Sequence, residues 1–157
     1  QEQWQPIVGI IDGGLFARSY EPMVAWRAPS LVADVEANRT HGNRVASLAV
    51  HGNAWNPHLD LPDLTCRIGI AQAIAKESHG ASTKPDFISY LRSVIARHHG
   101  DTKVWNLSFN EPVLGDDPLE MSELGHELRK IAREYGVLPI VSIGNVEIDN
   151  NLSLIHI

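Results

Sequence analysis

Two side chains in the first third of the chain have the chemical types needed for proton transfer. Asp12 ends the run Pro6-Ile7-Val8-Gly9-Ile10-Ile11 and is followed by Gly13-Gly14, and His41 opens the tract His41-Gly42-Asn43-Arg44-Val45-Ala46-Ser47-Leu48. A carboxylate that holds an imidazole fixes the ring's tautomer. It also stabilises the imidazolium that forms when the ring takes a proton, so Asp with His is the orienting half of a nucleophilic triad. Each residue alone has an ordinary alternative: Asp12 can cap the turn after its strand, and His41 can cap a helix or lie on the surface.

The elements that must position them are legible around each residue. Ile7, Val8, Ile10 and Ile11 suit a strand covered on both faces, and the paired glycines permit a sharp turn after it. Asp12 then stands at the carboxyl end of a sheet strand, the edge at which open α/β sheets place their ligands. Thr40 is the expected cap of a helix beginning near His41, with Val45, Leu48 and Ala49 on its apolar side and Gly52 after its end. Residues 15–38 read as an irregular excursion with one short element, interrupted by Pro22 and Pro29.

Beyond this helix, strand and helix signals alternate. A second buried strand is expected over Leu64 to Ala71, and residues 76–85 read as loop. Ser82 or Thr83 ahead of Pro85 starts a helix whose apolar face is Phe87, Ile88, Leu91, Val94 and Ile95, ending at Gly100. The next strand runs Lys103 to Phe109, followed by a loop over Glu111 to Asp117. Asp117 before Pro118 starts a helix with Leu124, Leu128, Ile131 and Tyr135 on one face and Gly136 as its stop, and Val137 to Ser142 is the fourth strand. Apolar strands separated by helix-length segments predict an α/β fold, a parallel sheet with helices on both faces.

Four tracts in this order resemble the subtilisin-like serine proteases, the subtilases. Ile-Val-Gly-Ile-Ile-Asp-Gly-Gly is similar to their Asp motif and His-Gly-Asn-Arg-Val-Ala to their His motif. Val104-Trp105-Asn106-Leu107-Ser108-Phe109-Asn110 resembles the strand that walls the substrate cleft, and Val141-Ser142-Ile143-Gly144-Asn145 the tract ending in the oxyanion asparagine. The resemblance implies a catalytic pair Asp12 and His41, an oxyanion donor at Asn145, and substrate contacts at Ser108, Phe109 and Asn110. Such a cleft strand offers extended backbone along which a peptide pairs like an added strand. Two departures stand out: Asn43 and Arg44 replace the usual Thr and second His, and Asn110 replaces a usual glycine.

The family's serine is expected downstream, in a Gly-Thr-Ser-Met-Ala-like tract opening a buried helix. No serine of this chain has that context. Loss of the serine in a subtilisin costs turnover a factor of ~10⁶, so these 157 residues alone are expected to be inactive. Residues 1–151 read as part of a subtilisin-like peptidase domain that stops short of the serine. Residues 152–157, Leu-Ser-Leu-Ile-His-Ile, are similar to the translation of a transposon end used in preparing sequencing libraries and are expected to be a read-through tail. A noncatalytic subtilase-like domain that binds peptides or partners is the alternative reading. A phosphotransferase using Asp12 would need a second acid two residues on, where Gly14 stands.

Composition narrows the partners. The formal charge of −6 without a basic cluster argues against a nucleic-acid surface. Apolar runs are strand-length, short of the ~20 residues of a membrane-spanning helix. Eight histidines are present, none at zinc-protease spacing, so neither metal nor other cofactor is expected. The single Cys66 lies in an apolar run and reads as a buried, inert thiol. Its solitude leans toward a reducing, cytoplasmic compartment. The expected partner is a peptide or protein substrate; oligomeric state is unread.

Overall fold

The computed structural model describes residues 5–76, 84–108 and 123–142. Its strands are β1 (Ile7–Asp12), β2 (Val24–Arg27), β3 (Arg67–Gln72), β4 (Thr102–Leu107) and β5 (Leu138–Val141). They form one five-stranded sheet in the order β2-β3-β1-β4-β5, and every pairing is parallel. Among the described residues three α-helices accompany it: α1 (Arg39–Trp55), α2 (Lys84–His98) and α3 (Glu123–Tyr135). The expected α/β architecture is the one observed.

Strand alternation builds two cores from one sheet. Ile10, Ile68 and Ile70 pack on one face with Ala46 of α1. Their neighbours Ile11 and Ala71 point the other way, to a larger cluster with Phe87, Leu91 and Ile95 of α2 and Leu124, Leu128 and Ile131 of α3. Burial on both faces is why β1 is almost wholly apolar. Its one bare position, Gly9, faces Trp105, whose ring would lie 2.4 Å from a Cβ there. On the α1 face the cover is partial among the described residues: Val104 and Ile140, on β4 and β5, remain 37% and 47% exposed.

Several boundaries differ from the sequence reading. Asn38, not Thr40, caps α1, its side chain accepting from the His41 N–H; asparagine is the stronger cap and the chain enters the helix two residues sooner. The helix runs through Gly52 to Trp55, since one glycine costs a helix only about 1 kcal/mol. Leu48 is 59% exposed, so it is not on the buried side, which consists of Gly42, Ala46 and Ser47. The excursion over residues 15–38 holds a 3₁₀ turn, Arg18–Met23, and also β2, a four-residue edge strand too short to show a periodicity.

β3 begins at Arg67 rather than Leu64, which is 71% exposed; the ladder starts where the Arg67 N–H bonds the Pro6 carbonyl. β4 ends at Leu107, short of Phe109, and β5 is the fifth strand. Cys66 is half-buried rather than buried, its Sγ donating to the Ala49 carbonyl at 3.3 Å while burial pushes the thiol pKa up. Gly136, with φ +62°, stops α3 as expected. Asn145, Phe109, Asn110, the helix start at Asp117, the Ser82 and Thr83 start signals and the tail 152–157 lie outside the described residues. Among the described residues no helix is long and apolar enough to cross a membrane.

Candidate active site

β1 is the central strand, and the chain moves from it first to one side of the sheet, through β2 and β3, and then to the other, through β4 and β5. Order reversal of this kind leaves a crevice outside the carboxyl ends of the two strands at the switch, here β1 and β4. Ile10 pairs with Asn106; β1 ends two residues later at Asp12, and β4 ends at Leu107, just before Ser108. The expected acid and the expected cleft serine therefore share one sheet edge.

Asp12 is 1% exposed and fully employed. Its carboxylate accepts from the Gly13 N–H at 2.6 Å and faces His41 Nδ1 through Oδ1 at 2.8 Å and Oδ2 at 3.0 Å. A carboxylate opposite Nδ1 requires the proton on that nitrogen, which leaves Nε2 as the basic atom of the ring. The His41 side chain is 45% exposed, so the ring joins a buried acid to solvent. Burial holds the Asp12 carboxyl above its ordinary pKa, while the His41 bond and the Gly13 amide pull it back.

Backbone contacts bring these residues together across 29 positions of sequence. The Asp12 carbonyl accepts from the Ala73 and Ile74 N–H groups, and the Ile74 carbonyl accepts from the Asn38 N–H. Asn38 Oδ1 then accepts from the His41 N–H at 3.3 Å. With the His41–Asp12 contact, these bonds close a loop running from Asp12 to His41 and back. Asn38 is absent from the sequence reading of the site. Its signal was present, an asparagine three residues before His41, but Thr40 competed for the same role.

Glycines make the approach possible. A Cβ on Gly13 would lie 2.0 Å from the Asn38 carbonyl oxygen, and one on Gly42 would lie 2.0 Å from that of Gly14. Gly14 itself has φ +88°, a conformation that side chains disfavour. Asn43, one of the two departures in the His tract, has a specific partner: its Oδ1 accepts from the Ala17 N–H at 3.1 Å, tying the segment after the Asp12 turn to α1.

Ser108 is half-buried, with its Oγ accepting from Asn106 Nδ2 at 2.7 Å. Both residues sit at the polar end of an open groove of about 370 Å³ whose apolar walls include Val8 and Ile10 of β1, Val45 and Ala49 of α1, and Ile140 of β5. Among the described residues no serine hydroxyl is hydrogen-bonded to the His41 ring.

The sequence model of the subtilase family matches residues 8–156 of the chain. No curated protein and no solved structure matches it. The match spans both strand-end residues, the His41 helix and the five-stranded sheet, and the chain belongs to the subtilase family, whose members are serine peptidases acting on peptide or protein substrates.

Proposed function

We propose that this chain supplies the acid and base of an Asp-His-Ser endopeptidase. The observation that carries the reading is the two-oxygen grip of Asp12 on His41 Nδ1. In the reaction His41 Nε2 takes the proton of the serine hydroxyl as its oxygen attacks the peptide carbonyl, then passes that proton to the leaving amine. A water molecule repeats the sequence on the acyl-enzyme. Asp12 favours the transition state because a buried carboxylate, poorly solvated on its own, gains most when the ring beside it becomes positive.

In this reading Asn145 donates to the oxyanion, and Ser108, Phe109 and Asn110 border the substrate, which pairs along their backbone. The nucleophilic serine comes from outside these 157 residues, so the chain by itself does not turn over substrate.

A fluorophosphonate probe on the full-length protein tests the reading. Labelling of a serine outside residues 1–157 is expected, and His41→Ala is expected to abolish it. Labelling that persists in His41→Ala removes His41 from the role of base.

A further inference from the structure

β3 contains a residue that its surroundings do not explain. In the run Arg67–Gln72 the strand is Ile-Gly-Ile-Ala up to its last position, where Gln72 is 7% exposed. A buried amide costs free energy unless its polar atoms are bonded, and an aliphatic side chain would fill the same volume without that demand. Gln72 is also the direct sheet partner of Asp12.

Its bonds run to the segment that delivers His41. Nε2 donates to the Val32 carbonyl at 2.8 Å and to Asp34 Oδ1 at 2.9 Å, and the Gln72 main-chain carbonyl accepts from the Leu31 N–H at 2.9 Å. From there the chain turns, with the Ala33 carbonyl accepting from the Glu36 and Ala37 N–H groups, and reaches Asn38, the cap of α1. The other end of the same amide meets the Asp12 turn: Oε1 lies 2.2 Å from where a Cβ on Gly14 would stand.

We propose that Gln72 is a positioning residue that holds the Asp12 turn and the His41 helix in register through one side chain. Its amide group touches the turn on one side and the entry to α1 on the other, so the acid–base distance is set jointly. The inference rests on the reading of Asp12 and His41 as a functional pair.

The test uses the low-field proton NMR signal of His41 Nδ1–H in the full-length protein, with Asp12→Asn as the reference for a broken pair. The unsubstituted chain is expected to show the signal and Asp12→Asn to lose it. Gln72→Met keeps the length and removes the donor; with the circular dichroism unchanged, its His41 proton is expected to exchange with water roughly tenfold faster, the scale of losing one or two buried hydrogen bonds. An unchanged exchange rate overturns the inference and leaves the pair intact. Absence of the signal from the unsubstituted chain overturns the pair reading and the inference with it. Should Gln72→Met not fold, Asp34→Ala decides: it removes one acceptor of the Gln72 amide at an exposed side chain, and a His41 exchange rate equal to that of the unsubstituted chain overturns the inference.

Discussion

Gly42, the residue after His41, lies against the carbonyl of Gly14, two residues after Asp12, with no room between them for a methyl group. The Asp12 turn and the His41 helix therefore meet backbone to backbone. Gly42→Ala would place its Cβ 2.0 Å from that oxygen, and neither main chain can yield without moving Asp12 or His41. The expected outcome in urea unfolding is a loss of about 2 kcal/mol, typical of overpacking, accompanied by loss of the low-field His41 proton. Alanine at Gly52, which has open space around it, is the control and is expected to leave both unchanged or to stabilise the helix.

Asp12→Asn is expected to separate stability from function. Burial raises the Asp12 pKa above 3.8, so the folded chain holds that proton more tightly than the unfolded one. The stability this provides is fully present below pH 3.8 and is lost as pH rises through the folded pKa. At neutral pH the ionised carboxylate is a net cost, and Asn removes it. The variant is expected to melt higher than the parent at neutral pH, with the difference shrinking as pH falls toward 3.8, while turnover of the full-length enzyme drops about 10⁴-fold. Thermal scans across pH and peptide hydrolysis assays check the two halves.

Asn38→Ala removes the side-chain acceptor of the His41 N–H. Loss of such a cap costs about 1 kcal/mol, to be measured by denaturant unfolding. Asn38→Asp, which keeps the acceptor, is expected to recover most of it.

His98 predicts an acid sensitivity far from the site. Its ring stacks on Trp26 with centroids 3.9 Å apart and planes 9° from parallel. Desolvation lowers its pKa below 6.5, opposed by Asp101 and assisted by Arg97. A depressed basic group contributes stability above pH 6.5 that is lost as pH falls through the folded pKa. His98→Phe preserves the stack and is expected to flatten the decline in thermal midpoint below pH 6.5; an equal slope in both proteins overturns the assignment.

Much of the fold was legible because its elements follow local rules. The β1 run, buried on both faces, and the α3 face of Leu124, Leu128 and Ile131 with its Gly136 stop needed no tertiary information. β2 was hidden because Val24–Arg27 is short and at an edge, where Trp26 reaches across the sheet to hydrogen-bond Thr102 at 2.9 Å. Leu48 was misplaced because helical spacing marks an apolar stripe without saying which part of it finds a neighbour. Gln72 was missed since one polar residue at the end of an apolar strand is, in sequence, indistinguishable from a residue entering solvent.

By itself the sequence determined which chemistry was on offer: an acid at the end of an apolar strand, a histidine at the start of a helix, and the order of four tracts that resemble those of the subtilases. Those are properties of spacing and residue type within a dozen positions, where periodicity and capping operate. Only the tertiary structure decided that Asp12 and His41 meet, through which nitrogen, and with what support. Their contact depends on β3 inserting beside β1, on Ile74 and Asn38 bonding across that junction, and on bare backbone at Gly13, Gly14 and Gly42. Those are long-range pairings whose partners lie tens of residues apart, and no local pattern specifies them.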